Sequence, residues 1–131
     1  MSRAPLAIVA LLAAQASAVH AEAALDAANG KKLFVKCALC HNADSPAAKL
    51  GPSLQGIVNR KVAIVAGYAY SPAMKAASLS WTKQNLDKFI TAPGKMITGT
   101  KMVFAGIGAA NERADIIAYL ESVSAPARKP R

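Results

Sequence analysis

Five consecutive residues, Cys37-Ala38-Leu39-Cys40-His41, hold both cysteines of the chain and one of its two histidines. Cys-x-x-Cys-His is the attachment signature of c-type haem. The chemistry explains the spacing. Each thiol adds to a vinyl group on one edge of a porphyrin to make a thioether, and two intervening residues let both thiols reach vinyls on the same side. The histidine that follows at once can swing under the ring and bind iron through nitrogen. Three other uses of these residues are weaker. A thioredoxin-like dithiol opens a helix after a strand in a βαβ pattern, and no such pattern is present. A zinc site takes four ligands, commonly Cys and His, and outside this motif only His20 remains. A disulfide between Cys37 and Cys40 would close a very short loop and add little stability.

Composition bounds the rest. The chain has 131 residues, enough for one domain. It is 53% hydrophobic but only 5% aromatic, so the core needs another filler, and a bound apolar cofactor would serve. That apolar content excludes a disordered tail. Two cysteines exclude a disulfide-dense mini-protein and a multi-cluster iron–sulfur protein. Sixteen Lys and Arg against seven Asp and Glu give a net charge of +9.

Residues 1–21 read as a secretory signal peptide. Arg3 supplies the positive end and Leu6 to Ala14 the apolar run, which is too short to span a bilayer. Small-residue cleavage patterns follow at Ala16-Ser17-Ala18 and Val19-His20-Ala21. Cleavage after Ala21 would remove His20 and leave His41 as the only histidine. Residues 22–123 are the expected domain, and 124–131, with two prolines and three basic residues, an expected mobile tail. No later stretch is apolar enough for a span, so the mature protein is expected to be soluble, monomeric and exported, with a bacterial periplasm as its natural destination.

Iron in an electron-transfer haem takes two axial ligands. With no second histidine in the mature chain, the soft ligand left is methionine. Met74, Met96 and Met102 are the candidates, and core filling is the usual job of Met. Sequence separation does not choose among them.

The elements that would position these groups read as helices joined by loops. Leu25 to about Lys36 is an expected helix, with Asp26 or Asn29 as its cap. Residues 42–67 are rich in Pro and Gly and read as loop. Ser71-Pro72 starts a short helix to Ser78. Thr82 caps another, Lys83 to Thr91, which ends before Pro93. Residues 94–108, with four glycines and two Lys-Met pairs, read as an extended loop. Asn111 is expected to cap a last helix to about Val123, where Ile116, Ile117, Leu120 and Val123 have helical spacing.

Several ordered motifs then carry a resemblance. Gly30-Lys31-Lys32-Leu33-Phe34 precedes the cysteines, and Gly51-Pro52-Ser53-Leu54-Gln55-Gly56 and Arg60-Lys61 follow them. Gly67-Tyr68-Ala69-Tyr70-Ser71 and Leu79-Ser80-Trp81-Thr82 come next. Gly99-Thr100-Lys101-Met102-Val103-Phe104 and the stretch from Glu112 to Leu120 complete the set. From about Asn29 to Ser122 the chain resembles the class I monohaem cytochromes c, of the mitochondrial type and its bacterial c2-type relatives. The resemblance implies an all-α class I cytochrome c fold, three to five helices and loops around one covalently attached haem c.

The resemblance also implies roles. Cys37 and Cys40 would hold the haem, with His41 and Met102 as axial ligands and Met96 in reserve. The Pro52 carbonyl would accept the second N–H of His41. Arg60, Tyr70 and Trp81 would lie near the inner propionate; for Tyr70 and Trp81 the alternative is plain core packing. Phe104 would cover the haem edge, Gly99 would let the backbone approach the ring, and Gly30 would let the first and last helices come close. Three positions depart from the family pattern: Thr98 stands where Pro is usual, Phe89 where Tyr is usual, and Met74 where Asn is frequent. The function implied is a periplasmic one-electron carrier of a respiratory chain type, not an enzyme. Redox partners would dock at a basic patch of Lys36, Lys49, Lys95 and Lys101; export argues against nucleic acid. Two alternatives stand beside it: a haem peroxidase or gas-binding protein with a labile Met ligand, and a haem-free thiol redox protein.

Overall fold

A computed structural model describes residues 24–124. The expected signal peptide and nearly all of the expected tail lie outside them. Six helical segments are present among the described residues: α1 (Ala27–Leu33), α2 (Val35–Ala38), α3 (Pro72–Ala76), α4 (Lys83–Thr91), α5 (Pro93–Met96) and α6 (Ala110–Ser124). The described residues contain no strand, only an isolated antiparallel bridge between Lys61 and Ser80. Trp81 N–H donates to the Arg60 carbonyl at 2.8 Å and Asn59 N–H to the Trp81 carbonyl at 2.9 Å beside that bridge, pinning two loops together.

The local start signals act as their chemistry requires. Asp26 caps α1, its carboxylate accepting the Asn29 N–H at 2.8 Å. Ser71 Oγ accepts the Met74 N–H at 3.1 Å, with Pro72 at the first position of α3. Thr82 Oγ1 accepts the Asn85 N–H at 3.1 Å at the start of α4. Such a bond satisfies one of the N–H groups that a helix start leaves without a partner.

Four expectations need correction. The first helix divides at Phe34, where tighter bonds begin: Cys37 N–H reaches the Phe34 carbonyl at 2.8 Å and Cys40 N–H the Cys37 carbonyl at 3.0 Å. The α3 helix stops at Ala76 because Ala77 is already extended, with φ −71° and ψ 118°. Part of the expected loop after residue 93 folds into the single turn α5, led by Pro93, whose fixed φ suits a first helical position. The α6 helix begins at Ala110, so Asn111 lies inside its first turn instead of capping it.

The frame is the crossing of α1 and α6. Gly30 is buried there, and a Cβ on it would lie 1.9 Å from the Asp115 carbonyl oxygen. Only a residue without a side chain permits that approach. Phe34 meets Tyr119 edge-on with ring centroids 5.4 Å apart. Asp115 accepts from the Asp26 N–H and from Asn29 Nδ2, both at 2.9 Å. Lys36 pairs with Glu112 at 2.5 Å. Ile116, Ile117 and Leu120 carry α6 into the core, where Leu86 and Phe89 of α4 are also buried.

Candidate haem site

The Cys-x-x-Cys-His run leaves α2 and turns beneath a cavity of about 500 Å³. Cys37, Cys40, His41 and Met102 all border it. Ile57, Met74, Trp81, Leu86 and Phe89 give it largely apolar walls. Its volume lies in the range of sites that enclose a small organic ligand.

His41 is buried and its Nδ1 lies 2.7 Å from the Pro52 carbonyl oxygen. A carbonyl only accepts, so Nδ1 carries the hydrogen and Nε2 keeps its lone pair. Burial pushes the imidazole pKa below its ordinary value; the Pro52 bond opposes this and the charge of Lys49 adds to it. The ring is confined from its other side by Gly51, where a Cβ would lie 2.3 Å from Cε1 and 2.7 Å from Nδ1. Both cysteines are free and half-buried. Burial raises the Cys37 pKa, with Lys36 acting the other way and Cys40 adding to the rise.

Arg60 borders the same cavity, half-buried. It donates to the carbonyls of Gln55 at 2.8 Å and Ser53 at 2.9 Å and pairs with no carboxylate among the described residues. Burial draws its pKa down from the usual guanidinium value, and Tyr70 opposes that. A partly desolvated cation with neutral partners suits an anionic group placed in the cavity. Tyr70 also borders it, and its hydroxyl oxygen accepts the Val65 N–H at 3.3 Å. Trp81 is buried and tilts against Phe89, centroids 4.9 Å apart.

The loop between α5 and α6 supplies Thr100, Lys101, Met102, Val103 and Phe104 to one wall. Of the three candidate methionines, Met102 and Met74 reach the cavity, whereas Met96 packs half-buried against the core. Gly99 has φ +91°, and a Cβ there would sit 3.2 Å from Ala73 Cβ of α3. Two of the three departures fall where they change the walls: Phe89 and Met74 are both buried and present no hydroxyl or amide there, whereas Thr98 is exposed and does not border the cavity.

Of the four expected docking lysines, Lys36 and Lys101 border the cavity. Lys49 Nζ donates to the Ala38 carbonyl at 2.7 Å and Lys101 Nζ to that of Ala69. Lys95 is exposed on α5. Sequence reasoning missed the apolar mouth: Leu39, Leu50 and Val103 border the cavity yet are 83%, 81% and 101% exposed. They lie in turn and irregular loop with no periodicity to betray them. Gly51 as the spacer for His41 was also missed, since its neighbour is known only once the loop is folded back.

Residues 27–124 match the family model for cytochrome c. The chain belongs to the cytochrome c family. It is a class I monohaem member with the all-α fold of that class, and its cofactor is a covalently attached haem c, for which Cys37 and Cys40 are the two cysteines present. It is 48% identical to cytochrome c type-1 of Ascaris suum over 97 residues, covering 73% of this chain and 87% of that one. It is 44% identical to cytochrome c2 of Rhodoblastus acidophilus over 102 residues, 76% of this chain and 94% of that one. Among solved structures, cytochrome cH from Methylobacterium extorquens superposes with a TM-score of 0.70 at 42% identity, covering 74% of this chain and 98% of that one. The family is one of electron carriers. No described helix is long and apolar enough to cross a membrane.

Proposed function

We propose that the chain is an exported, periplasmic one-electron carrier, not an enzyme, in which Cys37 and Cys40 hold the haem while His41 and Met102 take the two axial positions. The observation that carries this reading is the convergence of two thiols, one imidazole and the thioethers of Met102 and Met74 on a single apolar cavity; the family resemblance of the Gly99–Phe104 stretch favours Met102 of the two. When bound, haem c supplies a reversible one-electron iron couple.

The residues divide the remaining work. The thioethers fix the ring edge. The Pro52 carbonyl fixes the His41 tautomer, so Nε2 keeps its lone pair as a neutral donor on a ring of constant orientation. Met102 would supply the second protein ligand to the iron, which would leave no coordination site for oxygen or substrate. Ile57, Met74, Leu86 and Phe89 exclude water and so limit reorganisation as charge changes. Arg60, Tyr70 and Trp81 would offset the cost of placing a propionate beside them, and Phe104 would cover the haem edge. Docking would use the apolar mouth of Leu39, Leu50 and Val103 as its centre, with Lys36, Lys49, Lys95 and Lys101 steering acidic redox complexes toward it. Export rests on the residue pattern of positions 1–21.

The test is a visible spectrum of the purified protein, oxidised and reduced, with its intact mass. Expected are the mass of a mature chain plus one haem and a ferric sulfur-to-iron absorption band that Met102→Ala abolishes. Rapid carbon monoxide binding by the ferrous protein would instead support a ligand-binding haem. A colourless product of bare polypeptide mass would support a thiol redox protein.

A further inference from the structure

The wall that carries Met102 belongs to one connection, residues 97–109, between α5 and α6. The bonds that hold its Met102 end are sparse. Thr100 N–H donates to the Ile97 carbonyl at 3.0 Å, Met102 N–H to Thr100 Oγ1 at 3.3 Å, and Lys101 Nζ to the Ala69 carbonyl. The exit of the loop is held far more firmly. Gly106 has φ +103°, and a Cβ there would lie 2.0 Å from the Thr91 carbonyl oxygen. Ile107 is buried and its N–H donates to the Ile90 carbonyl at 2.8 Å.

One side chain ties this exit to both neighbouring helices. Arg113, on the first turns of α6, donates Nη1 to the carbonyls of Ile107 at 3.0 Å and Gly108 at 2.9 Å. Its Nε donates to Asp87 Oδ1 of α4 at 2.7 Å. The arginine side chain is only 11% exposed. A planar guanidinium can serve two carbonyls and a carboxylate at once, which an ammonium cannot do in the same geometry.

We infer that Arg113, anchored by Asp87, is a positioning residue that holds the Met102 thioether over the haem site by clamping the exit of its loop. This rests on the reading that Met102 is the axial ligand. A thioether is a neutral, weak donor. Its hold on iron therefore depends on how rarely the loop swings away. An external ligand binds only the open fraction, so its apparent affinity rises in proportion to that fraction. Charge-assisted bonds are the strong ones, and losing this set should raise the open fraction tenfold or more.

The experiment is an imidazole titration of the ferric, haem-loaded protein at fixed pH and salt. Arg113→Met and Asp87→Asn should each tighten imidazole binding at least tenfold, and the double variant should add little to Arg113→Met because both break one clamp. Arg113→Lys should fall between Arg113→Met and the wild type. The control is Lys83→Met, which breaks the 2.8 Å pair between Lys83 of α4 and Glu121 of α6 and should stay within twofold of the wild type. Imidazole affinity in Arg113→Met within threefold of the wild type, or an equal gain in Lys83→Met, would overturn the inference. Should Arg113→Met fail to mature, Asp87→Asn decides by the same thresholds. Met102→Ala separates the two readings: a wild type that already binds imidazole as tightly as Met102→Ala would show that the axial assignment itself has failed.

Discussion

Replacing Gly30 by alanine strikes the contact on which the frame depends. The new Cβ would lie 1.9 Å from the Asp115 carbonyl oxygen, 2.5 Å from its carbon and 3.0 Å from Ile116 nitrogen. All three are backbone atoms of α6, so no rotamer change relieves the clash and the helices must part. In a free helix the same change would stabilise by about 0.8–1.0 kcal/mol. Overpacking costs about 1–3 kcal/mol, and parting the helices also loosens the Phe34–Tyr119 pair, worth about 0.5–1.5 kcal/mol. The clash wins, by about 2 kcal/mol, which corresponds to a fall in Tm of about 8–16 °C for a domain of this size. Guanidinium unfolding of the haem-loaded protein, followed by far-UV circular dichroism, measures it. Gly94→Ala is the control, because nothing lies within 4 Å of a Cβ there, and it should be neutral or slightly stabilising. A Gly30→Ala protein as stable as the wild type would refute the packing argument.

Other outcomes follow from single sites. Gly51→Ala should push the His41 ring from its place, seen as rapid carbon monoxide binding by the ferrous protein; an unchanged spectrum under carbon monoxide would mean the ring is not confined. Asp115 has a pKa below its usual 3.8, through its bonds from Asn29 and then Asp26. It therefore stabilises the fold fully above about pH 4 and loses that effect as pH falls through the lowered folded value. Asp115→Asn should lower Tm at pH 7, and the gap to the wild type should close in acid; a gap independent of pH counts against it. With a net charge of +9 over the full sequence, or +9 − 1 = +8 without Arg3, oxidation of the ferrous protein by ferricyanide should slow as salt rises and oxidation by a cationic cobalt complex should quicken; a flat response to both would remove the steering account.

What was legible in the sequence was local. Cys37 to His41 announce themselves because two thioethers and one imidazole demand that spacing. Ser71-Pro72 and Thr82 are readable because a cap acts across three residues. Phe34 lies inside the expected first helix and gives no local sign of the break there; its ring meets Tyr119, far along the chain, a contact that only the fold supplies. Arg113 gave no signal: its partners on α4 and in the loop are brought to it only by the packing of α6. Met102 could not be told from Met74 and Met96 by spacing, and topology alone puts Met96 aside.

The low aromatic content and the central cavity have one consequence for how the protein is made. Leu86, Phe89, Trp81 and Met74 face the cavity and would have no partner there in a chain that never receives the haem. At about 24 cal/mol per Å³, sustaining a hollow of this size would cost about 12 kcal/mol, an upper bound because its mouth admits water. That rivals the whole stability of an ordinary domain, about 5–15 kcal/mol. The walls should therefore not persist without the cofactor, whereas the α1–α6 crossing uses contacts that lie away from it. Cys37→Ser/Cys40→Ser, produced without attached haem, should show partial helical circular dichroism, no cooperative thermal transition and rapid proteolysis within residues 42–109. A cooperative transition near that of the haem-loaded protein would mean that the polypeptide closes the cavity by itself, and the argument from cavity volume would fail.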